Sequence, residues 1–564
     1  MAAMRKKSKA HSVKILLGAI VVFLGFVTLS HNNFITNAQT KQRSLRTIIK
    51  HTFTPVCGST ASSIGRCHAR VVTNQNGTPQ SSTTPPATAF TPQMFHTAYL
   101  LPCTPGGSAQ SQCSQPTSFG PTIAIIDAYN DATIQNDLTA FSSYFNLPSC
   151  TTANGCLQIV NETGGTSLPK TTNASWALET ALDVETAHAI CQTCKLLLVE
   201  ANSTSLLDLA TGDKTAANLG AVAISNSWGA SEFSGEASYD SYFNHTGVGT
   251  FASAGDNGYG SSYPAASPYV ISVGGTTLSL YTDNSYAGET AWTDTGSGCS
   301  QYENASSLQQ TVVNWQQTGC GTKKAIADIA EDADPNTGIA VYDSTSYQGN
   351  SGWWQVGGTS LSSPLAAAIY AMSYTTNDHT IPQVATLLYQ NDTNANFHDI
   401  TTGSNGTCST IMCQAITGYD GPTGLGSLIG TGGFGTNSPA PSNQPSPTAA
   451  PTAIPTSTPT PIPVNQPLGF TNVSGSIQAT QAKITWTTVV SGTTTQALGT
   501  TQIRYGTSSN NLINKTIYDP TLTTTHIQTI TNLRARTTYY IQLLANNQQG
   551  VSYSSGIYYF TTTR

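Results

Sequence analysis

Gly357-Gly358-Thr359-Ser360-Leu361-Ser362-Ser363-Pro364 is the stretch whose reading decides the fold. A serine set among small residues precedes a proline and the apolar run Leu365-Ala366-Ala367-Ala368-Ile369-Tyr370. That pattern predicts a serine at a helix start. Glycines let the backbone turn tightly and let a substrate approach. Unpaired N–H groups at a helix N-terminus favour developing negative charge, and a hydroxyl placed there suits covalent acyl transfer. The competing reading is a Ser/Thr cap on a core helix. The rest of the chain decides between them.

At 564 residues the chain holds more than one domain. Only 9% of residues are charged, against roughly 25% in average globular proteins. The net charge of -6 argues against a nucleic-acid surface. Sparse charge fits a protein working in acid, because little charge develops as pH falls; a Ser/Thr/Asn-rich extracellular surface would look the same. Arg5-Lys6-Lys7, the uncharged apolar run from Ile15 to Ser30 and Thr36-Asn37-Ala38 read as a secretory signal over residues 1–38. The run is shorter than the roughly 20 residues a spanning helix prefers, so membrane contact is expected only if the signal stays uncleaved. The 12 cysteines fall in close sequential pairs, 57/67, 103/113, 150/156, 191/194, 299/320 and 408/413. In an exported chain such a count predicts disulfides, with nearest-neighbour pairing the simplest of many connectivities.

Residues 435–467 are rich in Pro, Thr, Ser and Ala and read as an extended linker. Before them, uniformly apolar strands alternate with helical segments. The strands are Thr122–Ile126 ending at Asp127, Leu196–Val199, Ala221–Ile224, Thr250–Ala254 and Tyr269–Val273. This order predicts an α/β domain whose parallel sheet is covered by helices on both faces. Ligands in such sheets sit at the carboxyl ends of the strands, where Asp127, Ser225–Gly229 and Gly255-Asp256 fall. After the linker, Ile484–Trp486, Thr501–Tyr505 and Thr538–Leu544 alternate with a period of two, as in an all-β sandwich.

Trp176–His188 is the second strong signal. Glu179 and Asp183 are spaced i, i+4 on one helix face, with Leu178 and Leu182 on a second, buried stripe. Two carboxylates so placed repel when both ionise, and sharing a proton raises one apparent pKa. Such a pair can act as base and then acid. A solvated acidic face is the alternative, although the helix lacks the Lys and Arg such a face carries. His188 with Asp127 and Ser360 repeats the Asp, His, Ser order of subtilisins. It sits late on its helix, outside a His-Gly-Thr-His motif, and reads as a structural histidine.

Together these residues resemble the sedolisin family, serine-carboxyl peptidases of subtilisin-like fold. Its motifs appear in order: Glu179 and Asp183 as Glu-x-x-x-Asp, Ser-x-Ser-Trp-Gly at 225–229, Ser-x-Gly-Asp-x-Gly at 253–258, and Gly-Thr-Ser-x-Ser-x-Pro at 358–364. Tyr263–Pro268 and Val273–Thr276 add agreement. The resemblance covers roughly 91–434 and implies the site roles. Ser360 attacks the peptide carbonyl, and Glu179 takes its proton and returns it to the leaving amine. Asp183 hydrogen-bonds and tunes Glu179, and protonated Asp256 donates to the oxyanion. It also implies one structural Ca2+, held by Asp399, Ile400, Ile416, Gly418 and Asp420, with Ile416 standing where the family usually has glycine. A carbonyl ligand survives there only if the backbone angle suits a branched residue. The long prodomain of many sedolisins is missing: residues 39–90 form only a short pro-like segment containing Cys57 and Cys67. Residues 468–564 resemble a fibronectin type III domain, with Trp486, Leu533 and Tyr540 where that family keeps its Trp, Leu and Tyr.

The expected protein is a secreted, acid-acting endopeptidase, a monomer whose partners are protein or peptide substrates. The C-terminal domain is left open between binding a surface or polymer and spacing the enzyme. A catalytically idle sedolisin-like binding or adhesion protein is the alternative, and the intact set Glu179, Asp183, Asp256 and Ser360 argues against it.

Overall fold

The computed structural model describes residues 44–58, 64–102, 118–374, 381–435 and most of 468–563. The signal segment, Cys103, Cys113 and the linker from 436 onward lie outside the described residues. The chain divides into two compact units, Met1–Ser442 and Asn443–Arg564.

Three short strands open the first unit: β1 (Thr52–Pro55), β2 (Arg66–Cys67) and β3 (Arg70–Thr73). Its central sheet is built from β4 (Thr122–Ala128), β5 (Leu157–Asn161), β6 (Lys195–Ala201) and β7 (Ala221–Asn226). The short strand β8 (Trp228–Ser231) follows β7. Completing the central sheet are β9 (Gly249–Ser253), β10 (Ile271–Leu280), β11 (Tyr286–Ala291) and β12 (Ile329–Asp332). The spatial order is β11-β10-β9-β7-β4-β6-β5, with β12 alongside β10. All pairs are parallel except the edge strand β11, which runs antiparallel to β10. The α/β reading therefore holds. The strands are apolar along their whole length because both faces are covered, and β4 is buried from Ile123 to Ala128.

The longer helices of this unit are α1 (Pro92–Ala98), α2 (Ile134–Phe145), α3 (Ala174–Ile190), α4 (Leu206–Asn218) and α5 (Thr359–Ser373). Asn173 caps α3 by accepting from the Ser175 and Trp176 N–H groups. Every residue of α3 from Trp176 to Ile190 is buried. The acidic pair therefore has no solvated face: tertiary packing encloses the whole helix, not one stripe. Before α5 come β13 (Ile339–Tyr347) and β14 (Asn350–Gly357). A second sheet, ordered β1-β3-β14-β13, ties the N-terminal segment to the strand that leads into Ser360.

The disulfides 57–67, 150–156, 191–194, 299–320 and 408–413 are formed, as nearest-neighbour pairing predicts. Among the described residues no helix is long and apolar enough to cross a membrane.

Among its described residues the second unit has two sheets. One joins Leu468–Ile477, Ala482–Val490 and Thr525–Ile530. The other is built around Gly499–Gly506, Thr538–Asn546 and Ser552–Thr561. Its core holds Ile484, Trp486, Ile503, Leu533, Tyr539 and Ile541. Tyr540 was expected inside, but Tyr539 takes that place, and its hydroxyl accepts from the Arg534 N–H at 2.9 Å. In a strand a slip of one residue reverses every face, so sequence alone easily misplaces such a tyrosine.

Candidate active site

Ser360 is the second residue of α5, fully buried, with Gly358 at the N-cap. Gly358 has φ 97°, a left-handed conformation, and a Cβ there would lie 2.1 Å from the His68 carbonyl oxygen and 2.6 Å from Asp256 Oδ2. Only glycine lets those two oxygens approach the same point. The Ser360 hydroxyl donates to the Ser227 carbonyl at 3.1 Å.

Three carboxyls stand behind the nucleophile. Glu179 and Asp183 project from α3, and Asp127 from the end of β4; all three are fully buried. Burial pushes Glu179 well above the usual carboxylate range, and the charge on Asp127 pushes further. The nearby Ser360 hydroxyl and Ala69 N–H pull the other way. Asp183 is raised by burial and then by Asp127 and Glu179. Burial raises Asp127 to about 7 against the opposing Thr180 hydroxyl. In this conformation the oxygens of all three remain without a closed hydrogen bond, and the ion pairs among the described residues fall on other carboxylates. The arrangement holds protons at pH values where ordinary carboxyls have lost them. Asp127 was singled out in the sequence only as a strand-end residue and a member of a rival triad. Its place beside Glu179 and Asp183 comes from the sheet, which no local motif encodes.

Asp256 is held by the residue just ahead of the nucleophile. Its Oδ1 accepts from the Thr359 N–H and hydroxyl, each at 2.8 Å. Burial raises it to about 6, opposed by Arg70, by the two Thr359 donors and by Arg66. His188 is elsewhere: its Nε2 bonds the Pro148 carbonyl at 2.8 Å, and burial lowers it to about 4. A buried, neutral imidazole so engaged reads as structural.

The cleft is crossed by the chain's own N-terminal segment. β2 pairs antiparallel with β8, Arg66 opposite Gly229 and Cys67 opposite Trp228. The His68 N–H donates to the Ser227 carbonyl at 3.1 Å, and the Ser360 N–H donates to the His68 carbonyl at 3.4 Å. His68 Nδ1 and Ser253 Oγ share a hydrogen bond of 2.7 Å. A cavity of about 290 Å³ opens beside His68, lined by Ser231, Tyr259 and Ser262 among others. Past His68, β3 leaves the cleft paired with β14, Arg70 opposite Gly357 and Val71 opposite Val356. Both flanks are anchored: the Cys57–Cys67 disulfide on one side, and the Ala69 carbonyl accepting from Val56 N–H at 3.0 Å on the other. The sequence signalled this segment only through its two cysteines. Its partners β8 and β14 lie far along the chain.

The five residues expected to hold calcium lie around one loop. The Gly418 N–H donates to both Asp399 oxygens, at 3.2 and 3.0 Å. Asp420 accepts from Ile416 N–H at 2.8 Å and from the Thr423 N–H and hydroxyl. The Thr417 carbonyl accepts from the Asn314 amide at 2.8 Å. The carbonyls of Ile400, Ile416 and Gly418 accept no backbone N–H among the described residues. Ile416 keeps an ordinary φ, whereas Gly418 sits at φ 80°, so the branched residue causes no strain. Burial raises Asp420 to about 8, and Asp399 adds repulsion. Two carboxylates and spare carbonyls fit a hard divalent cation.

Comparison with known proteins agrees with this geometry. The subtilase family pattern matches residues 165–407, a span holding Asp183, Asp256 and Ser360. The first unit therefore has the subtilase type of fold. Sedolisin of Pseudomonas sp. (strain 101) is 35% identical over 182 residues, 30% of this chain and 29% of that protein. Kumamolisin of Bacillus sp. (strain MN-32) is 30% identical over 373 residues, 61% of this chain and 62% of that protein. A solved structure of Pseudomonas sedolisin, complexed with two molecules of pseudo-iodotyrostatin, is 26% identical over 62% of this chain and 97% of that one, with a TM-score of 0.49. The chain is thus similar to sedolisin and kumamolisin over part of its length, in line with the family its motifs resemble. It spans less than two thirds of the length of these curated relatives.

Proposed function

We propose that this protein is a secreted serine-carboxyl endopeptidase that acts in acid. Ser360 forms the acyl-enzyme. Glu179 is the general base and then the acid. Asp183, beside Asp127, keeps Glu179 in the proton-sharing range, and Asp256 donates a proton to the oxyanion. The disulfides and the signal-like start support export. Asp399 and Asp420, with the carbonyls of Ile400, Ile416 and Gly418, would hold one Ca2+, which ties the loop together as a structural ion.

The observation that carries this reading is the segment from Arg66 to Arg70, which joins β2 to β3, lying in the cleft as a bound substrate would. The His68 carbonyl sits between the Ser360 N–H and the Asp256 side, and the Ala69 N–H faces Glu179. The reaction on this strand follows directly. Ser360 Oγ attacks the His68 carbonyl carbon while Glu179 takes the hydroxyl proton. The oxyanion is held by the Ser360 N–H and the Asp256 carboxyl. The His68–Ala69 bond breaks, and Glu179 returns the proton to the Ala69 nitrogen. Water then hydrolyses the ester and frees the His68 carboxylate. Purified full-length protein at about pH 4, where general acid–base groups of raised pKa are poised, should yield a chain beginning at Ala69 and then cleave casein. Ser360→Ala should do neither. Intact wild type with no Ser360-dependent cleavage of either kind would sink the reading.

A further inference from the structure

Arg70, two residues past the His68–Ala69 bond, touches the residue that the reaction needs protonated. Its Nε lies 3.4 Å from Asp256 Oδ2, with both side chains largely buried. Its Nη2 donates to the Asp256 carbonyl and reaches Asn257 Oδ1 at 3.5 Å. Oδ1 of Asp256 is already taken by the two Thr359 donors. Oδ2 is therefore the oxygen left to carry a proton toward the His68 carbonyl, and it is the oxygen Arg70 faces. One oxygen cannot be both an anionic partner of a guanidinium and the O–H donor of an oxyanion hole.

Resting on the peptidase reading above, we propose that Arg70 is a latch that holds Asp256 Oδ2 as a carboxylate and so keeps the chain's own strand uncut until acid breaks the pair. The device is self-consistent in sequence. The cation is carried by the strand to be cut, and it is placed by the pairing of Arg70 with Gly357 just ahead of the nucleophile. The other groups facing Asp256 are Arg66 from β2, which adds to the attraction, Thr359 from α5, and Glu179 from α3. Glu179 is itself held toward its neutral form by burial and by Asp127. His68, also in the strand, is lowered to about 3 by burial and by Arg66 and Arg70, so it stays neutral through the range in which Asp256 titrates. Arg66 remains when Arg70 is removed, so losing Arg70 weakens the hold without abolishing it.

The test uses the full chain, held at about pH 8 and stepped to buffers down to about pH 3, with the new Ala69 terminus counted by mass spectrometry. Arg70→Met keeps the bulk and loses the charge; Arg70→Gln is the second variant, and thermal melting checks that both are folded. Both should move the upper pH limit of the cut upward by about one unit from the Asp256 value of about 6, a roughly three-fold faster cut near pH 6.5 that approaches about ten-fold near pH 8, with the acid plateau unchanged. An unchanged limit overturns the latch. So does a rate lowered equally at every pH, which would make Arg70 a residue that seats the strand. Wild type at about pH 4 separates the two ideas. A Ser360-dependent cut there with no shift in the variants removes the latch alone, and no cut at all removes the peptidase reading and the latch with it.

Discussion

Two groups of carboxyls in the first unit, both raised by burial, have to be neutralised in different ways. Around Ser360, Glu179, Asp183 and Asp127 are enclosed by α3 and the sheet, and no cationic side chain pairs with them among the described residues. In the 399–420 loop, Asp399 and Asp420 are also raised by burial, but the carbonyls of Ile400, Ile416 and Gly418 accept no backbone N–H among the described residues. The first group is suited to bound protons and the second to a metal ion. Chemistry follows from that difference. A shared proton can be handed to a substrate, while a divalent cation holds a loop.

The largest effect expected is at the proton-handling group. Ser360→Ala and Glu179→Gln should each lower kcat at least roughly 10³-fold on casein and on the chain's own strand, as for members of a catalytic set acting as a unit. If Glu179→Gln retains activity and His188→Ala loses it, the comparison is broken at its first term. Asp256→Ala should cost about 10²- to 10³-fold in kcat, the usual loss for one oxyanion donor. Steady-state assays near pH 4 would measure both.

Stability separates the two groups further. Asp127 has its folded pKa raised to about 7, above its unfolded value. Below the unfolded value both states hold the proton, and the stability is fully present. As pH rises toward 7 the unfolded chain sheds the proton first and the folded state loses ground, at roughly 1.4 kcal/mol per pKa unit. Asp131 and Glu200, raised to about 6 and about 7, add in the same direction. Melting temperature should therefore fall from about pH 4 to 7, and Asp127→Asn should flatten that fall. A wild-type melting temperature that rises over the same range would contradict the assignment of these carboxyls as protonated.

The loop pair should behave oppositely toward metal. Chelation should lower the melting temperature more at about pH 7 than at about pH 4, because protons compete for Asp399 and Asp420 in acid. Asp420→Asn should remove the response. A chelator effect of equal size at both pH values would place the ion elsewhere. The smallest effect expected is at His188. His188→Gln should leave the pH profile of cleavage in place and lower the melting temperature by a few degrees, about 1 kcal/mol for one lost internal hydrogen bond.

Much of the α/β frame was legible because apolar strand runs and small-residue motifs are local signals. The strand Thr122–Ile126 and the helix around Glu179 appear where their patterns predict. The strand expected at Tyr269 begins at Ile271 instead, since strand ends depend on partners. Tyr539 replaced Tyr540 in the second unit because a face is set by register, not by residue type. The N-terminal segment read only as a short pro-like segment, and its strands pair with β8 and β14. Such pairings join residues too far apart in the chain to leave a periodic trace.

By itself the sequence determined which residues could do chemistry. It held a serine in a glycine-rich turn, an i, i+4 acidic pair, an aspartate after a strand, and too few cations to neutralise buried acids. Only the tertiary structure decided that α3 is enclosed on all sides, that Asp127 joins Glu179 and Asp183, and that His68 and Arg70 lie across the site. The physical reason is that desolvation and charge proximity act through space. A carboxyl's neighbours in the fold, not in the chain, set whether it holds a proton, pairs with arginine or waits for a metal.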